Sequence, residues 1–129
     1  MKFLLDTHLL VWAASKPASL SAAARQAIEE PGNDLYFSVA SLWEIVIKSA
    51  LQREDFSVDA SLLRRGLSDN GYDEIAIEGA HVLAVASLST LHRVPFDRIL
   101  IAQARVEGLV LLTADAVMAG YGSPVRLVN

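Results

Sequence analysis

A chain of 129 residues, 53% of them drawn from AVILMFWYC, 20% charged and without cysteine, fits one domain over 1–129 with a full hydrophobic core. The missing cysteines exclude a disulfide framework, thiolate zinc sites, iron–sulfur clusters and cysteine nucleophiles, and the apolar content excludes disorder. Eleven Lys and Arg against fifteen Asp and Glu leave a net charge of −4, which argues against a protein that grips phosphates through a basic surface, unless carboxylates gather where divalent cations neutralise them.

The longest stretch without a formal charge, Gly79 to His92, is 14 residues, against the ~20 needed to span a bilayer. The start, MKFLLDTHLLVWAAS, has the outline of a signal peptide, but Asp6 interrupts its apolar part. The expectation is a cytoplasmic protein with no membrane segment.

Lys2–Leu5 reads as a short strand ending at Asp6-Thr7, which caps a helix through Leu9, Leu10, Trp12 and Ala13 until Lys16-Pro17 breaks it. Ser21 caps a helix over 22–30, Pro31-Gly32-Asn33 makes a turn, and Leu35-Tyr36-Phe37 is a buried strand. Ser41 opens a helix over 42–51 that is apolar on nearly all sides and is therefore expected at the centre. Asp59 or Ser57 caps an amphipathic helix with Leu62, Leu63 and Leu67, closed by Asn70-Gly71. A strand over 74–77, a helix over 79–88, a helix over 97–105 ended by Gly108, a strand at Val110–Thr113, a short helix from Asp115 and a strand over 125–128 complete the chain. Strands alternating with helices at this spacing predict an α/β fold, a parallel sheet with helices on both faces. Sites in such sheets form beyond the carboxyl ends of the strands.

That rule directs attention to Asp6, Asp97 and Asp115, each at a junction into a helix. The plain reading of each is an N-cap, contributing about 0.5–2 kcal/mol. Three carboxylates at one sheet edge, however, repel one another and need a cation or protons. Glu44 has capping-box spacing from Ser41 and i,i+4 spacing to Lys48; on the inner face of so apolar a helix it needs a partner. His8, His81 and His92 lack zinc-helix spacing, and His81 reads as a surface residue, His92 as a loop residue. There is no glycine-rich phosphate loop and no G-x-S-x-G elbow.

The segments FLLDTH (3–8), SVASLWEIVIK (38–48), PFDRILIAQA (95–104) and LLTAD (111–115) resemble the PIN-domain family, in particular the VapC-type toxins of toxin–antitoxin systems. The resemblance runs in order along nearly the whole chain, to Tyr121-Gly122 and a final strand. It implies a three-layer fold, a central parallel sheet flanked by helices, with an acidic pocket that binds Mg²⁺ or Mn²⁺ and cleaves RNA phosphodiesters to leave a 5′-phosphate and a 3′-hydroxyl. By motif match Asp6, Glu44, Asp97 and Asp115 take the acidic positions, and Thr113 the supporting hydroxyl. Asp6, Asp97 and Asp115 are then the metal ligands, and Glu44 serves behind them or at a second ion while positioning the attacking water. Relatives often carry an acidic residue where this chain has Val94. Arg98 and Lys48 are the first candidates for RNA phosphates, with Arg53 and Arg93 behind them; Arg64 and Arg65 read as solvated charges or ion pairs. The implied partners are RNA, a cognate antitoxin and a second copy of the chain. A noncatalytic PIN-like interaction module and a DNA-directed nuclease are the alternatives.

Overall fold

The computed structural model describes residues 1–88 and 94–129. Strands β1 (Lys2–Leu5), β2 (Asp34–Ser38), β3 (Asp73–Ile75), β4 (Val110–Thr113) and β5 (Val125–Leu127) form one sheet in the order β3-β2-β1-β4-β5, every neighbouring pair parallel. The helices are α1 (Thr7–Ser15), α2 (Ala22–Glu29), α3 (Val39–Ala50), α4 (Ala60–Asp69), α5 (Gly79–Val85), α6 (Pro95–Glu107) and α7 (Ala116–Ala119). From β1 the chain builds outward through β2 to β3, and then returns to β1's other side for β4 and β5. The strand order therefore reverses between β1 and β4, where the helices leaving two adjacent strands diverge and open a crevice.

The period-2 alternation of a strand divides the apolar residues between two cores. Phe3, Leu5 and Leu112 pack with Leu9 and Leu10 of α1, Ala24 of α2 and Leu63 and Leu67 of α4. Leu4 and Leu111 pack on the opposite face with Leu100, Ile101 and Ala104 of α6 and Met118 of α7. Because β1 and β4 are covered on both faces, they read as continuous apolar runs, as buried parallel strands must. The three-layer α/β expectation is met.

Several boundaries differ from the sequence reading. Ser38, not Ser41, caps α3: its hydroxyl accepts from the Ala40 amide at 3.0 Å, so the helix begins at the end of β2 and carries Ser41 and Glu44 inside it. Nor is α3 central. Ala40, Ser41, Glu44 and Ile45 are buried, whereas Trp43, Val46 and Leu51 are 58%, 54% and 70% exposed; its apolar residues fill two faces, and this fold covers one. His81 is buried rather than on the surface, because its ring closes the first turn of α5 by accepting from the Glu78 amide at 3.0 Å. Pro95 is the first residue of α6, as its preset φ and missing N–H favour, so Asp97 sits in the first turn and does not cap. Among the described residues no helix is long and apolar enough to cross a membrane.

Candidate active site

The site grows from the ends of β1 and β4. Asp6 leaves β1 in extended geometry and caps α1, its Oδ1 accepting from the Leu9 amide at 2.9 Å. Its Oδ2 accepts from the Thr113 hydroxyl at 2.5 Å, and Thr113 Oγ1 accepts in turn from the Asp115 amide at 3.0 Å. Asp115 caps α7, Oδ1 accepting from the Val117 amide at 2.9 Å. One threonine therefore ties the two carboxylate-bearing junctions together across the switch point. Capping and a second role coexist, since each carboxylate oxygen has two lone pairs and a cap uses one of them.

Asp97 reaches the same place from the first turn of α6. Burial pushes the Asp6 carboxyl up from 3.8 to about 6, and the Asp97 charge pushes the same way, while the Thr113 and Leu9 hydrogen bonds and the charge of His8 hold it down. The two carboxylates thus feel one another, as like charges sharing a site do.

Glu44 comes from the inner face of α3 and is 3% exposed. Its Oε1 accepts from the Thr7 hydroxyl at 2.6 Å, and Ser41 Oγ lies 3.0 Å from the same hydroxyl. Its Oε2 pairs with the Lys48 ammonium at 2.5 Å. The i,i+4 pair anticipated from spacing is present; the capping box with Ser41 is absent, because the helix starts earlier.

Asp6, Glu44, Asp97 and Asp115 line one pocket of about 130 Å³, together with Lys48, Thr7, His8, Val94 and Met118. The four matched carboxylates and Lys48 are brought together, and Thr113 supports them from behind. Arg98 is directed elsewhere: its guanidinium donates to the Tyr121 hydroxyl at 2.9 Å and to the Val85 carbonyl at 3.2 Å, clamping α6 to α5 and to the turn after α7. Arg53 pairs with Asp55, and Arg64 with Glu74 through two bonds of 2.6 and 3.0 Å. Arg93 and His92 lie outside the described residues. His8, two residues past Asp6 and read from the sequence as an ordinary first-turn residue that could brush the site, lines the pocket; Thr7's link to Glu44 spans 37 residues and has no local signal.

A second cluster, Glu78, His81 and Glu107, brings three potential ligand atoms within 4.8 Å. Its chemistry does not suit a cation. Because His81 Nδ1 accepts from a backbone amide, the neutral ring carries its proton on Nε2, which faces Glu107 at 3.7 Å; a metal-bound histidine needs the opposite arrangement. The larger cavity, about 610 Å³ between α1 and α4, is lined mainly by apolar residues such as Leu35, Leu63 and Leu67 and lies at the far end of α1 from Asp6.

Residues 3–122 match the family model described as PIN domain. Ribonuclease VapC22 of Mycobacterium tuberculosis is 27% identical over 121 residues, covering 94% of this chain and 92% of that protein. Among solved structures, VapBC2 from Rickettsia felis bound to a DNA fragment from their promoter superposes with a TM-score of 0.72 at 18% identity, over 98% of this chain and 97% of that one. A toxin-antitoxin complex from Klebsiella pneumoniae superposes with a TM-score of 0.68 at 21% identity, over 98% and 97%. These two likenesses establish the fold.

Proposed function

This chain belongs to the PIN-domain family, and from that premise we propose that it is a Mg²⁺- or Mn²⁺-dependent endoribonuclease, the toxin of a toxin–antitoxin pair acting in the cytoplasm. One observation carries the reading: carboxylates from three separate elements, Asp6 after β1, Asp97 in α6 and Asp115 after β4, line one pocket at the switch point. Burying Asp6 beside Asp97 is unfavourable for the ionised pair, and a cation removes that penalty.

The donor set fits a hard divalent ion, being all oxygen with no thiolate or imidazole in it. Asp6, Asp97 and Asp115 would hold the ion; when bound, it supplies charge for the scissile phosphate and lowers the pKa of an attacking water. Thr113 fixes the rotamer of Asp6, and Asp115 is set by its cap. Glu44 is committed to Thr7 and Lys48, so it organises the α3 side of the pocket. Hydrolysis joins the water oxygen to phosphorus and breaks the bond to the 3′ oxygen, leaving a 5′-phosphate and a 3′-hydroxyl.

The antitoxin reading draws on the Klebsiella complex and on the name of the Mycobacterium relative. An acidic pocket is also a ready acceptor for an arginine or lysine of such a partner, which would exclude the ion. The exposed apolar residues of α3 and α5, Trp43 and Val46 with Val82 and Leu83, and Leu51 just past α3, support a homodimer.

The test is cleavage of matched single-stranded RNA and DNA by the purified chain with Mg²⁺ and with EDTA. RNA cleavage that needs Mg²⁺ and falls at least ~10³-fold in Asp97→Asn is expected, the size of an effect that removes charge from the reacting centre. Normal cleavage by Asp97→Asn would remove the assignment, and cleavage of DNA alone would change the substrate.

A further inference from the structure

The pocket already contains a cation of its own. Lys48 Nζ meets Glu44 Oε2 at 2.5 Å on one side and lies over the Phe56 ring, 4.6 Å from its centroid, on the other. Phe56 is fully buried, and its carbonyl accepts from the Ser49 hydroxyl, which pins the turn that carries the ring. The Lys48 side chain is only 21% exposed. An ordinary surface lysine spreads over many rotamers in water; this one is held at both ends of its reach, against a carboxylate and an aromatic face.

Nucleases that use two ions set them roughly 3.5–4 Å apart, so that the attacking and the leaving oxygen both meet positive charge. Here the α3 side of the pocket is taken. A second ion bound through Glu44 would lie beside the ammonium that Oε2 already holds at 2.5 Å, so two cations would compete for one carboxylate. We propose that Lys48 is a catalytic residue that takes the place of a second metal ion, donating to an oxygen of the scissile phosphate in a pocket where Asp6, Asp97 and Asp115 would hold one divalent ion. The inference rests on the nuclease reading above. In the reaction the water oxygen bonds to phosphorus, the phosphorus–3′ oxygen bond breaks, and a proton of the water reaches the leaving oxygen through solvent. The Lys48 ammonium keeps its proton throughout.

Two measurements on the purified full chain test this. Mn²⁺ binding, followed by calorimetry and by the paramagnetic resonance signal of free Mn²⁺, is expected to give one ion per chain for the natural protein. In Mg²⁺ just sufficient to fill that site, Lys48→Met is expected to lose ~10²–10³-fold in kcat with KM little changed, the size of one lost transition-state donor, and Lys48→Arg to retain much of the rate. Raising Mn²⁺ should restore part of the Lys48→Met activity as a second ion binds beside Glu44, with the stoichiometry rising to two. The double variant Glu44→Gln/Lys48→Met removes both charges together, so it keeps the test open if Lys48→Met alone unfolds. It should stay slow and gain nothing from extra Mn²⁺.

Two ions in the natural protein, an unchanged kcat in Lys48→Met, or a double variant as fast as the natural protein would each overturn the proposal. The last outcome would mean that Lys48 merely neutralises Glu44. A natural protein that neither binds Mn²⁺ nor cuts RNA is a separate result: it overturns the nuclease reading, and this inference with it.

Discussion

Asp6 shows how one residue carries a structural and a chemical task with opposing energetics. Its cap on α1 stabilises the fold, while its burial drives the folded-state pKa up to about 6 from 3.8. A raised folded pKa means that the native state holds a proton the unfolded chain has released. The associated stability is complete below about pH 4 and is lost as pH rises through 6. For Asp6 alone the shift corresponds to about 3 kcal/mol. In EDTA the protein is therefore expected to unfold at a lower temperature at pH 7.5 than Asp6→Asn does, because asparagine keeps the cap oxygen and carries no charge. Mg²⁺ should raise the unfolding temperature of the natural protein and leave that of Asp6→Asn nearly unchanged. Thermal unfolding of both proteins with and without Mg²⁺ checks this, and equal metal effects on the two would contradict it.

Among the elements, α6 is the one on which site and core both depend. Its apolar face, Leu100, Ile101 and Ala104, anchors it to Leu4 and Leu111, and its first turn delivers Asp97. The Ser38 hydroxyl and Gln103 Oε1, 2.6 Å apart, bond α6 to the end of β2, where α3 departs with Glu44. At its other end Gly108 turns the chain into β4 with φ 69°, the left-handed geometry that terminates a helix. A Cβ there meets no atom within 4 Å, so the obstacle to substitution is backbone conformation alone. Gly108→Ala is expected to destabilise by about 1–2 kcal/mol, seen as an earlier urea midpoint with an unchanged slope. Cleavage under native conditions should persist, because the pocket lies at the opposite end of α6.

For the whole molecule, the surface of α3 is the conspicuous feature. Trp43 packs edge-on against Phe96 with ring centroids 5.1 Å apart, yet it stays 58% exposed, next to an exposed Val46. If this face is where two copies meet, Val46→Lys should shift the protein from dimer to monomer by light scattering. The monomer's unfolding temperature at low protein concentration should hardly change, since exposed substitutions usually move stability within ±0.5 kcal/mol. A dimer that survives Val46→Lys would place the contact elsewhere.

Local order was legible in the residues. Strands β1 and β4 follow from short apolar runs, the caps at Asp6, Ser21, Asp59 and Asp115 from the side chains that accept amide protons, and the Glu44–Lys48 pair from i,i+4 spacing. These interactions lie within one helical turn, so spacing alone determines them. The sequence also determined which carboxylates to consider, because the segments that carry them match a family pattern. The tertiary structure decided what they touch. Thr113 meets Asp6 across 107 residues, and Thr7 meets Glu44 across 37; neither contact exists until β1 lies between β2 and β4. Arg98 turned to Tyr121, His81 became buried, and α3 left Trp43 and Val46 exposed, because packing between elements sets those outcomes. Local spacing encodes an element and its ends, whereas strand order determines which distant side chains share a pocket.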